Sequence, residues 1–111
     1  SAIIFFWSTW CPHCQSALED LERRAKDMER RGIKIIAVDI GEPKSDVRSY
    51  VSWHGIDLDI FLDEQSLLVE RYSIIGVPTF FLIDKEGSKT EYHRSTQCIS
   101  TYMRHRNGIK I

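Results

Sequence analysis

The sequence predicts an α/β fold, a central mixed β-sheet flanked by helices. Two observations carry this. An apolar run, a long amphipathic run and a second apolar run follow one another between Ala2 and Ile40. That order is a βαβ unit, whose two strands run parallel and whose crossover is right-handed. Further on, the apolar run Thr79 to Ile83 is followed by a turn and a polar run over 88–93, the pattern of a hairpin.

Each element has a local reason. Residues 2–8 are rich in β-branched and aromatic types and read as a buried strand. Over 12–31, Ala17, Leu18, Leu21, Ala25 and Met28 recur at helical steps while charged residues fill the other face, and Gly32 supplies the stop. Ile33 to Ile40 has the unbroken apolar centre of a strand covered on both faces. Gly41-Glu42-Pro43 breaks that pattern. A second helix is expected over 45–54, with Val47, Tyr50, Val51 and Trp53 as its apolar positions. A short extended piece follows at Ile60-Phe61-Leu62. A third helix is expected over 64–72, with Leu67, Leu68 and Val69 facing inward. Gly76-Val77-Pro78 introduces the third long strand, and Gly87 suits the positive φ of the turn after it. Ser95 or Thr96 would cap a last helix through Cys98, Ile99, Tyr102 and Met103.

The 111 residues are enough for one compact domain, expected to span 1–111 as a monomer. Composition is ordinary for a globular protein, with 42% hydrophobic and 28% charged residues and a net charge of -1. No basic stripe points to nucleic acid, and no apolar run approaches a membrane span. The chain starts at Ser1 rather than Met, so a missing targeting segment says little about location. Three cysteines make no disulfide framework; they read as one working pair and a spare, Cys98. The spare reads as a small buried hydrophobe or inert surface thiol, against a regulatory or intermolecular disulfide.

The chemistry concentrates in Trp10-Cys11-Pro12-His13-Cys14. A helix starting near Pro12 sets Cys11 at its N-terminus and Cys14 one turn inside. The free N–H groups and dipole of that end favour an anion, and the thiolate is the reactive form of cysteine. Proline suits the first turn, having no N–H to lose. His13 adds a positive charge beside the sulfur or is a solvent-exposed side chain of modest influence. The pair could instead be half of a zinc site, but Cys98, His54, His93 and His105 lack the spacing of further ligands. Haem attachment needs His after the second cysteine, where Gln15 stands. A structural disulfide closing so short a loop would constrain little. The redox dithiol, which needs no cofactor or metal, is the favoured reading, with a zinc-binding structural domain kept as an alternative that metal analysis separates.

Phe6-Trp7-Ser8-Thr9-Trp10-Cys11-Pro12-His13-Cys14 resembles the active-site stretch of thioredoxin-fold proteins, most closely the bacterial TlpA/ResA-like subgroup. Ile36-Ala37-Val38-Asp39-Ile40-Gly41-Glu42, Phe61-Leu62-Asp63, Tyr72, and the run from Gly76-Val77-Pro78 to Gly87 resemble its later sections in order. The insertion over 43–72 is typical of the subgroup. The resemblance implies a thioredoxin fold and a thiol–disulfide oxidoreductase of the periplasm or another extracytoplasmic space. Its partners would be protein thiols and disulfides together with an upstream redox partner. It implies that Pro78 is a cis-proline lying against the dithiol, where the alternative is an ordinary trans proline. The Val77 backbone would then pair with an extended substrate segment. Trp10, Trp7 and Pro78 would form the rim receiving the substrate, with Cys11 exposed and Cys14 shielded. The family's further N-terminal strands are missing, as in a trimmed or shortened chain.

The departures matter as much. The acid that thioredoxins place in the first strand is Phe5 here, and the glutamate that ResA-like proteins carry on the first helix is Ala17. Glu42 matches another acidic position of the subgroup. It is the candidate for assisting Cys14, set against an exposed loop carboxylate. The Pro12-His13 dipeptide resembles that of DsbA, an oxidant, whereas the scaffold resembles reductants that often serve cytochrome c maturation. The direction of exchange therefore stays open. The missing acids also keep a second class in view, a redox-gated binding module that senses oxidation without turnover. A peroxidase is disfavoured, since peroxiredoxins place a lone cysteine in a different motif.

Overall fold

A computed structural model describes residues 1–93, Tyr92 and His93 by their backbone only. The expected last helix and Cys98 lie outside the described residues. The elements are β1 (Ala2–Trp7), α1 (Pro12–Arg30), β2 (Lys34–Ile40), α2 (Lys44–Trp53), β3 (Ile60–Asp63), α3 (Leu67–Arg71), β4 (Thr79–Ile83) and β5 (Lys89–His93). The sheet order is β3-β2-β1-β4-β5. β1, β2 and β3 are parallel, and β4 runs antiparallel to both β1 and β5. The sheet is mixed and flanked by helices, as the sequence predicts.

β1 is central because it is apolar on both faces. Ile3, Phe5 and Trp7 are fully buried on one face, sharing a core with Cys14, Ala17, Leu18, Leu21 and Met28 of α1 and Val47 of α2. Phe6 points the other way, into a second core with Val38, Ile74 and Phe81, where Leu68 and Val69 of α3 pack. This is the two-residue alternation of a strand, used on both sides. The parallel register pairs Trp7 with Asp39, so Asp39 points to the α1 and α2 face.

α1 ends in a Schellman arrangement. Gly32 adopts φ +76°, its N–H bonds to Glu29 O, and Ile33 N–H bonds to Met28 O at 2.8 Å. On its outer face Asp20 pairs with Arg23 and Arg24, and Asp27 with Arg30 and Arg31. Such surface pairs contribute little. In the β4–β5 turn, Asp84 Oδ1 accepts from the N–H groups of Glu86 and Ser88 at 3.0 and 2.8 Å, and Gly87 takes φ +89°.

Three expectations need correction. α3 begins at Leu67, not at residue 64, because Asp63 to Ser66 forms a turn with Ser66 at φ +58°. Asp63 Oδ2 then accepts from Leu68 N–H (2.9 Å) and Val69 N–H (3.1 Å), capping the helix from the strand end. So short a helix has one inward stripe, filled by Leu68 and Val69, and Leu67 is exposed. Trp53 is likewise 86% exposed as the last residue of α2, beyond the face that buries Val47.

Replacing Asp63 by Ala should leave two N–H groups of α3 without a partner inside the fold. The expected cost is about 1–2 kcal/mol in urea unfolding. Faster hydrogen exchange should appear at Leu68 and Val69 first, and unchanged exchange there would refute the capping role.

Candidate active site

The site forms where the C-terminal ends of β1 and β2 meet the start of β4. β1 stops at Trp7, and Ser8-Thr9-Trp10 turns the chain into α1. Cys11 is the N-cap of α1, in extended conformation, with Pro12 at the first helical position. Its Sγ accepts from Cys14 N–H at 3.2 Å and its thiol donates to Val77 O at 3.8 Å. The antiparallel register pairs Phe6 with Thr79, which brings the Val77-Pro78 turn to the dithiol. The Val77–Pro78 peptide bond is cis. Both cysteines are free thiols.

Burial departs from expectation at two places. Cys11 is only 5% exposed, because the Val77-Pro78 turn lies across it. Cys14 is fully buried, as expected. Trp7 does not contribute to a rim. It is buried among Phe5 and Tyr50, with ring centroids at 6.5 and 5.6 Å, since strand alternation turns it inward. Trp10, by contrast, is 68% exposed beside Cys11. Pro78 is buried and Val77 half-buried, while Pro12 and His13 are exposed on the first turn of α1.

Glu42, in the loop after β2, holds the active-site loop. Its Oε1 accepts from Thr9 N–H at 2.8 Å and its Oε2 from Thr9 Oγ1 at 2.5 Å. Gln15 Nε2 donates to Thr9 O at 2.6 Å and ties the same loop to α1. Thr9 and Gln15 carry no sequence signal of this role. Burial opposes the Glu42 charge, but the adjacent Asp39 carboxyl, which holds the proton, and the hydrogen bonds from Thr9 outweigh it and hold the carboxyl below its usual range.

Asp39 is the residue that sequence reasoning missed. It is fully buried, and neither carboxyl oxygen meets hydrogen-bond geometry with a partner. A lone acid inside Ile35-Ile36-Ala37-Val38-Asp39-Ile40, in phase with buried Ile35 and Ala37, was a legible signal. Burial pushes its pKa up to about 9, and the neighbouring Glu42 carboxyl and the Asp46 charge reinforce this. Burial also pushes the Cys14 thiol well up. The Cys11 side chain and the charge of Asp39 add to that, against a lowering contact from the Ser8 backbone. Tyr50 is raised by burial, then by the charges of Glu19 and Cys14. Among the described residues, no group of three or more His, Cys, Asp or Glu is placed to hold a metal ion.

A dithiol at the N-terminus of the helix that follows the central strand, with a cis-proline turn against it, defines a thioredoxin-fold dithiol protein. The profile of the AhpC/TSA family matches residues 1–89, and the chain belongs to that family. It is 31% identical over 105 residues to the thiol-disulfide oxidoreductase ResA of Geobacillus kaustophilus (strain HTA426). That match covers 95% of this chain but 60% of the relative, so the chain spans well under two thirds of that protein. Among solved structures it resembles a thioredoxin-family thiol:disulfide interchange protein from Chlorobium tepidum TLS. There the TM-score is 0.80 at 25% identity, covering 95% of this chain and 78% of that one. StoA from Bacillus subtilis shares the fold at TM-score 0.78 and 21% identity, covering 92% and 81% of the two chains.

The raised Asp39 pKa has a definite consequence for stability. Between the unfolded value of 3.8 and about 9 the folded protein binds a proton that the unfolded chain does not. Stability attributable to Asp39 therefore falls as pH rises through that window. Asp39→Asn should remove this slope, so that its stability gains on wild type as pH rises from about 4 towards 9. Thermal melts from acid to alkaline pH would show the two proteins diverging as pH rises; parallel curves would contradict the assignment.

Proposed function

We propose that this chain is a thiol–disulfide oxidoreductase that exchanges disulfides with partner proteins through Cys11 and Cys14. The observation that carries this is the placement of Cys11 Sγ, which accepts from Cys14 N–H at the helix N-terminus and lies against Val77 O. An N–H donor and the helix dipole both favour a thiolate there. In the reducing direction the Cys11 thiolate attacks a partner disulfide, forms a mixed disulfide and expels a partner thiolate. Cys14, once deprotonated, attacks Cys11 Sγ, closes the intramolecular disulfide and releases the second partner thiolate. Reversed, the oxidised pair takes two electrons from a partner dithiol. Exposed Trp10 and the Val77 backbone receive an extended partner segment, and Pro78 shapes that surface.

The 31% identity to a protein named thiol-disulfide oxidoreductase supports this reading. By analogy with the TlpA/ResA-like subgroup, the protein works outside the cytoplasm. It would act on protein thiols, cytochrome c maturation being one such task, and be recharged by an upstream redox partner. Among the described residues no helix is long and apolar enough to cross a membrane.

Steady-state reduction of a protein disulfide tests the reading. Cys11→Ser should abolish turnover, and Cys14→Ser should accumulate the mixed disulfide, visible on non-reducing gels. Wild type without turnover would favour the redox-gated binding module instead. The reduction potential, measured in glutathione buffers, should fall between about -270 mV and about -120 mV, the values of thioredoxin and DsbA. Because His13 is exposed, its charge is screened. His13→Ala should shift the potential by less than about 30 mV, a tenfold change in equilibrium constant. A larger fall would make His13 a principal stabiliser of the Cys11 thiolate.

A further inference from the structure

The exchange chemistry requires a proton at Cys14, and that sulfur has no access to solvent. Cys14 is fully buried, and the side chains sharing its core, among them Phe5, Trp7, Ala17 and Leu18, carry no acid. Asp39 is the exception on this face. The register of β2 with β1 sets it beside Trp7, on the face that α1 covers, with no solvent exposure and neither oxygen within hydrogen-bond geometry of a partner. A buried carboxyl whose neighbour is a second carboxyl, Glu42, is costly, and nothing in the packing of β2 needs one.

We propose, on the basis of the exchange function above, that Asp39 is the proton-handling residue for Cys14, protonating its sulfur as the disulfide opens and recovering that proton as it closes.

The groups facing Asp39 favour this. The charge of Asp39 acts on Cys14 of α1, while Glu42 of the loop after β2 and Asp46 of α2 act on Asp39. Tyr50 of α2 faces Cys14 and also senses Glu19 of α1. The charged groups acting on Asp39, Glu42 and Asp46, are both acidic, so they hold the proton on it. Glu42 in turn stays ionised against Thr9 and is half-buried, giving Asp39 a polar edge towards solvent.

In the direction that opens the disulfide, the partner dithiol is the reductant. A partner thiolate attacks Cys11 Sγ and forms the mixed disulfide. The Cys11–Cys14 bond breaks, and its electron pair goes to Cys14 Sγ. The carboxyl proton of Asp39 passes to that sulfur through a bridging water, leaving a thiol and a carboxylate. A second partner thiolate then displaces Cys11 as a thiolate. The partner dithiol has lost two electrons, the pair has gained them, and Asp39 regains a proton from solvent past Glu42. Closure of the disulfide runs the same path backwards, with the Asp39 carboxylate as base.

The test is the rate at which dithiothreitol reduces the Cys11–Cys14 disulfide, followed by tryptophan fluorescence in wild type and Asp39→Asn. The reductant's own ionisation affects both proteins alike and cancels in the ratio. Wild type should be faster by about tenfold or more at neutral pH, and the advantage should vanish above about pH 9, where Asp39 loses its proton. Equal rates at neutral pH, or a ratio that does not change with pH, would overturn the role. A second measurement needs no variant: the carbon-13 titration of the Asp39 carboxyl should differ between the oxidised and reduced protein. Identical titrations would also overturn it. If dithiothreitol does not reduce the wild-type pair, the exchange function itself fails; if both proteins cycle alike, only Asp39 is excluded.

Discussion

The placement of β1 is the constraint on which the rest depends. It is bonded on both edges and covered on both faces, so its position along its own axis is fixed. Its end sets where α1 begins and hence where Cys11 stands. Its parallel register with β2 puts Asp39 on the α1 face, and its antiparallel register with β4 brings Val77-Pro78 across Cys11. A slip of a single residue against β2 would turn Asp39 to the opposite core and leave Cys14 in a wholly apolar environment.

The two sulfurs occupy opposite electrostatic settings only one helical turn apart. Cys11 meets an N–H group and the positive end of a helix. Cys14 meets apolar side chains, and burial, the Cys11 side chain and the charge of Asp39 oppose its ionisation. In the proposed exchange, one sulfur is therefore disposed to start and the other to finish. Glu42 links the two settings, because it anchors Thr9 in the loop before Cys11 while adjoining Asp39 beneath Cys14.

Much of this was legible in the sequence, for physical reasons. The βαβ unit is legible because burial on both faces leaves unbroken apolar strands, and α1 because its inward stripe is long. The hairpin is legible from Gly87, and the helix N-terminus from Pro12. What escaped reading depends on direction in space. Trp53 and Leu67 are apolar yet exposed, since propensity does not show which turn of a short helix faces the core. Trp7 belongs to the interior because alternation, not proximity to Cys11, sets its direction. The burial of Cys11 depends on a turn sixty-six residues away in sequence. Asp39 differs from these, because a lone acid in phase with buried Ile35 and Ala37 is readable from strand alternation itself.

The shielding of Cys11 also determines what can reach it. With 5% of its surface open, Val77 lying across it and exposed Trp10 next to it in sequence, the sulfur offers a narrow approach. A disulfide rigidly embedded in a well-folded surface cannot enter such an opening, whereas one carried on a loose or frayed strand can. The proposed exchange would therefore favour partner disulfides on loosened segments over those held rigidly in a folded surface.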